Sequence, residues 1–214
     1  MDDDPDPADP LPAALAQRWP LKGADDLRED LAAAYADPAR AHHGTRHLRE
    51  VLDHLDEIAA SGEGFDPVSV SLAAWFHDAV YDGERDAEER SATWAEEALA
   101  GLVDDATVAE VARLVRLTEH HRPEPGDTAG AALSDADLAI LAAPAERYAA
   151  YVEAVRREYA HLDDATFAEG RTAVLTKLRE APTLFATHYG LATWERAARA
   201  NVDAELASLA AATV

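Results

Sequence analysis

The chain has 214 residues, enough for one sizeable core and short for two, so a single domain is expected. It carries 42 acidic against 19 basic side chains, a formal charge of −23, which argues against a nucleic-acid polymer or an anionic membrane surface as the main partner. It has no cysteine, which excludes disulfides, thiolate-bound zinc and a thiol nucleophile and leaves histidine and carboxylate chemistry suited to hard or borderline metals. No apolar run approaches the ~20 residues needed to cross a bilayer. With acidic rather than basic opening residues, a cytoplasmic location away from the membrane is expected.

Residues 1–10 are mostly Asp and Pro and read as a disordered acidic tail, with the folded domain expected over 11–214. From Asp25, the positions Leu27, Leu31, Ala34 and Tyr35 repeat at helical spacing and stop before Pro38. A second helix is expected over 41–60, where the apolar stripe Leu48, Val51, Leu52, Leu55 and Ile58 continues backwards through His47 and His43. Two imidazoles four residues apart share a face. They fit a metal ligand with a neighbouring substrate contact, or a helix start whose histidines bond locally. His42 points off that face and reads as solvated.

The next stretch is the anomaly around which the chain is organised. Val68, Val70, Leu72, Ala73, Ala74, Trp75 and Phe76 are apolar around most of a helix, which should therefore run through the core, and it ends in His77-Asp78. Burying an unpaired carboxylate costs several kcal/mol unless a cation or hydrogen-bond donors compensate it. A bound metal ion would do so.

After a turn at Asp82-Gly83-Glu84, an amphipathic helix is expected over 87–100, with Glu88, Glu89 and Ser91 in its first turns as ordinary complements to the helix dipole. A helix from about 106 carries Val108, Val111, Leu114, Val115 and Thr118 on one face, with His120 or His121 able to cap its end. The Pro- and Gly-containing stretch 122–130 reads as a loop. Beyond it, Leu133, Asp137, Ile140 and Leu141 share one stripe, which puts a second carboxylate in the core, whereas Asp135 is explained by a position near the helix start and solvent. Three more helices are expected over 145–161, 164–180 and 191–212. Arg156 and Arg171 fall on their core sides, where an arginine can pair with a carboxylate or hold a phosphate in its planar fork. With no period-two alternation, no glycine-rich phosphate loop and no fixed repeat, the fold class is all-α.

His47, His77, Asp78 and Asp137 make a mixed nitrogen and oxygen set suited to Mn, Mg, Co, Fe or Zn. Such an ion lowers the pKa of bound water and polarises a phosphoryl oxygen. In order and spacing these residues resemble the signature of the HD superfamily of metal-dependent phosphohydrolases: a His, a His-Asp doublet and a distant Asp. More narrowly, the chain is similar to a bacterial subfamily of stand-alone predicted HD phosphohydrolases. That likeness is carried by residues 35–47 (YADPARAHHGTRH), 74–81 (AWFHDAVY), 88–92 (EERSA), 118–121 (TEHH), 135–138 (DADL), 156–159 (RREY), Gly170-Arg171 and 198–201 (ARAN). It departs from the subfamily at Ala87, usually Asn, and at His42, more often Tyr.

The resemblance implies a single-domain HD-type helical bundle with His47, His77, Asp78 and Asp137 as metal ligands. His43 and His121 are implied as substrate contacts or general acid, Glu88 as a water-orienting group, and Arg171 and Arg156 as phosphate contacts. The implied reaction is attack of a metal-bound hydroxide on a small phosphorylated substrate, with a nucleotide expected, and with Asp78 catalytic as well as ligating. Alternatives of other classes are a metal-containing nucleotide sensor without turnover and an HD-type di-iron oxygenase. A monomer or a homodimer is compatible with the Ala-rich C-terminal helix. All these readings need Asp137 to lie within about 6 Å of His77, the reach of one shared ion.

Overall fold

Polar caps and apolar stripes together set the helices of this chain. In the computed structural model, which describes residues 13–83 and 86–212, these are α1 (Ala13–Ala16), α2 (Asp25–Tyr35), α3 (Thr45–Ala60), α4 (Pro67–Phe76), α5 (Ala87–Leu99) and α6 (Asp105–Leu117). They are followed by α7 (Thr128–Leu138), a 3-10 turn (Ala139–Ala142), α8 (Ala145–Glu158), α9 (Asp164–Glu180), α10 (His188–Thr193) and α11 (Glu195–Ala212). The protein is all-α, with no β-strand among the described residues. The expected acidic tail over 1–10 lies outside the described residues. Among the described residues, no helix is long and apolar enough to cross a membrane.

Capping fixes several helix starts. The carboxylates of Asp66, Asp104, Asp127 and Asp163 accept the backbone N–H three residues on, and the Thr187 hydroxyl does the same for Gly190. Each such cap contributes about 1 kcal/mol. Pro67 occupies the first turn of α4, where its missing N–H costs nothing.

Helix α4 runs through the core as its all-round apolar character requires: Val70, Leu72, Ala73, Ala74, Trp75 and Phe76 are fully buried, and α3, α5, α6 and α7 pack around it. Trp75 meets Trp19 edge to face at 5.2 Å. α11 lies against α9 and the 3-10 turn, and an ion pair between Arg147 and Glu50 ties α8 to α3.

The structure departs from the sequence expectation in three places. α3 begins at Thr45, not 41, with Gly44 as its N-cap, so His42 and His43 belong to the preceding turn. α7 begins at Thr128 because Asp127 caps it, so Asp135 falls in its second half, not near its start. The last expected helix is divided into α10 and α11 at Trp194, whose buried indole packs against Phe185, Tyr189 and His54.

Candidate metal centre

The end of α4 delivers His77 and Asp78 into a nest that α2 and the following turn have prepared. The His77 Nδ1–H donates to the Ala74 carbonyl at 2.8 Å, which leaves the Nε2 lone pair to point at the cluster. The Tyr35 hydroxyl accepts the Asp78 backbone N–H at 3.2 Å. Arg40 donates to the carbonyls of Asp78 and Ala79 at 2.6 and 3.0 Å, satisfying groups the helix end cannot. Its guanidinium lies over the rings of Tyr35 and Tyr81. Tyr35 and Arg40 thus hold the doublet from behind.

Opposite the doublet, His47 projects from the first turn of α3 and Asp137 from the last turn of α7. His47 Nε2 is 3.1 Å from His77 Nε2, 3.4 Å from Asp78 Oδ2 and 3.1 Å from Asp137 Oδ1. His77 Nε2 is 3.2 Å from Asp78 Oδ2 and 3.7 Å from Asp137 Oδ1, inside the limit the sequence reading set. Ligands about 2.0–2.2 Å from one ion lie roughly 3.0–3.6 Å apart at adjacent positions. The group His47, His77 and Asp78 can therefore hold a metal ion, and Asp137 lies where it can complete the set.

The chemistry of the donors fits a cation as well as their spacing does. Asp78 Oδ2 is buried with no hydrogen-bond partner, a costly state for a carboxylate oxygen that a cation relieves. Burial alone would raise the Asp78 and Asp137 carboxyls, but the facing imidazoles of His77 and His47 outweigh it and hold both well below the usual range. Burial pulls His47 down, yet the facing carboxylates of Asp137 and Asp78 push it up to about 10. Without a cation, a proton takes that place.

Around this nucleus the other predicted residues divide. His43, Glu88 and His121 line a cavity of about 460 Å³ that also exposes Asp78 and Asp137. His121 Nε2 is 3.5 Å from Asp137 Oδ2, its Nδ1 is buried without a partner, and burial lowers its pKa. Its backbone is left-handed, φ 49°, a costly conformation for a residue other than glycine that turns this ring inward while His120 stays exposed. Arg171 reaches the cavity, but its Nε and Nη2 bond the buried Glu205 at 2.7 and 3.1 Å. Arg156 does not line the cavity. It donates to the carbonyls of Tyr159 and Leu162 and pairs with Asp164, locking the α8–α9 connection.

Two sequence readings are corrected. His42 is 6% exposed, wedged against the rings of His43, His47 and Tyr151, and burial holds it neutral. Asp135 is 1% exposed and accepts from the Ala186 and Thr187 backbones and the Thr187 hydroxyl, so it anchors the segment before α10 rather than facing solvent.

One site residue, Glu158, is given no role by the sequence, where it stands only within the 156–159 (RREY) motif. Glu158 Oε1 accepts the backbone N–H groups of His42 and His43 at 2.7 and 3.0 Å, and its Oε2 accepts from His43 Nδ1 at 2.7 Å. The turn folds over the cluster because of this carboxylate. His43 stacks on Tyr81 at 4.1 Å. In sequence, Glu158 follows two arginines at a helix end, where a charged run reads as a solvated face. Compared with protein-family models, curated proteins and solved structures, the chain matches none of them.

Proposed function

We propose that the protein is a metal-dependent phosphohydrolase of the HD type, acting in the cytoplasm on a small phosphorylated metabolite. The observation that carries this reading is the convergence of His47, His77, Asp78 and Asp137 within 3.1–3.7 Å contacts, with Asp78 and Asp137 lining a 460 Å³ cavity. Histidine and carboxylate ligands at the edge of a ligand-sized space are the arrangement hydrolytic metal sites need. When bound, a divalent cation such as Mn, Mg, Co, Fe or Zn lowers the pKa of water and polarises a phosphoryl oxygen.

The chain's own residues supply the rest. Asp78 and Asp137 orient the ligand set and neutralise the cation. His43, fixed by Glu158 and Tyr81, presents its remaining ring nitrogen to the cavity and protonates the leaving oxygen as general acid. His121 faces the same space as a second contact to the phosphate, and Glu88 orients water from the first turn of α5.

The test is purification with Mn, Mg or Co, metal analysis, and a phosphate- or pyrophosphate-release panel with Asp78→Ala and His77→Ala as controls. Turnover lost in both variants is expected; turnover equal to wild type in both would overturn the reading. Tight nucleotide binding without product would assign a sensor instead. Two irons per chain with oxygen consumption would assign an oxygenase.

A further inference from the structure

The cavity beside the metal centre has two unlike walls. One bears the carboxylates Asp78, Asp137 and Glu88, and the other is built by Tyr159, Leu162, Phe167 and Val174, where α8 runs into α9. The Tyr159 and Phe167 rings stand 6.2 Å apart at 43°. Tyr159 and Val174 are 39% and 51% exposed, large apolar surface that the fold itself leaves uncovered next to the polar nucleus.

Among the described residues, this space offers few cationic partners for extra phosphates. Among the described lining residues Arg171 is the lone arginine or lysine, and the buried Glu205 already neutralises it. Arg156 is turned into the α8–α9 connection with its guanidinium on the Phe167 ring at 4.8 Å, and Arg40 is held by backbone carbonyls behind the doublet. A divalent ion against three carboxylates leaves the site short of positive charge. One phosphate can share the ion; further phosphates would meet carboxylates without a counter-charge.

We infer that the site takes a phosphomonoester with a single phosphate on an apolar, ring-bearing organic part, and discriminates against nucleoside di- and triphosphates. This rests on the phosphohydrolase reading above and narrows its substrate. The phosphate faces Asp78, Asp137 and His121, and the ring lies against Phe167, Tyr159 and Val174.

The test uses Mn-loaded full-length protein and calorimetric titration with phenylphosphonate, methylphosphonate and β,γ-imido-ATP, none of which the site can cleave at the probed bond. Phenylphosphonate is expected to bind at least about tenfold more tightly than methylphosphonate, the gain from burying one ring, and more tightly than imido-ATP. Phe167→Ala should remove most of that gain while leaving Mn and methylphosphonate binding in place. Val174→Asp, at an exposed position that tolerates charge, should do the same if Phe167→Ala fails to fold. Mn-dependent binding of methylphosphonate with no gain from the ring, or imido-ATP as the tightest ligand, would overturn this inference alone. No uptake of Mn, Mg, Co, Fe or Zn would overturn it together with the phosphohydrolase reading.

Discussion

Glu158 Oε2 lies 2.7 Å from Nδ1 of His43, across 115 residues of chain, and the other oxygen of the same carboxylate takes two consecutive backbone N–H groups. One buried side chain thus fixes both the turn before α3 and the orientation of an imidazole in the cavity. Glu158→Ala is expected to destabilise the protein by about 1–3 kcal/mol, because the N–H groups of His42 and His43 lose their acceptor. Metal stoichiometry should not change. Denaturant unfolding and metal analysis of the variant check this; loss of metal would place Glu158 among the ligands. The Glu158 carboxyl, which burial raises but His43 and the backbone donors lower further, sits below its ordinary value. The folded state therefore binds fewer protons there than the unfolded one, and this contribution is present above the ordinary carboxylate range and lost as pH falls through the lowered value.

A cation bound at His47, His77 and Asp78 would relieve the orphaned Asp78 Oδ2 and so stabilise the fold. A cation at a hundredfold excess over its Kd should add ~2.7 kcal/mol of stability, a rise in Tm of roughly 5–10 °C for a domain of this size. Asp78→Asn should abolish that rise. Thermal unfolding with and without chelator measures both, and an equal rise in the variant would remove Asp78 from the ligand set.

Metal binding must also expel a proton. In the metal-free fold the carboxylates of Asp137 and Asp78 overcome burial and hold His47 protonated to about pH 10, whereas a cation needs its lone pair. Affinity should therefore rise with pH through neutrality, and binding at pH 7 should release about one proton. Titration calorimetry in buffers of different ionisation enthalpy reads this directly; zero release would show that His47 is neutral before the metal arrives.

Arg171 and Glu205 form a pair whose side chains are 10% and 6% exposed, and Tyr148 and Tyr151 bond its two ends. Arg171→Ala should cost about 3–5 kcal/mol by stranding a buried carboxylate, and Arg171→Met with Glu205→Leu should recover at least half. Urea unfolding checks it. An Arg171→Ala protein of wild-type stability that binds phosphonates weakly would make this arginine a phosphate contact instead.

Gly190 offers a backbone test. A Cβ there would stand 2.5 Å from Asp135 Oδ2 and 2.8 Å from Phe185 Cβ, both buried. Gly190→Ala should destabilise by about 1–3 kcal/mol through overpacking. Neutral stability would show that the segment before α10 yields easily.

The sequence by itself determined the all-α class, the passage of α4 through the core, and the identity of His47, His77, Asp78 and Asp137 as residues out of place on apolar stripes. Those are local properties: a helical period and a polar group on the wrong face are visible in any window of a dozen residues. What only the tertiary structure decided is where the polar partners of this site come from. Asp135 and Asp137 are two apart in one helix, yet one caps the segment before α10 and the other meets His47. His42 is buried and not solvated because Glu158 draws its turn inward, and Arg156 is engaged at the α8–α9 connection while Arg171 reaches the cavity. The reason is that a buried carboxylate or guanidinium must find its counterpart wherever the packed helices bring one, and that distance in space leaves no trace in spacing along the chain.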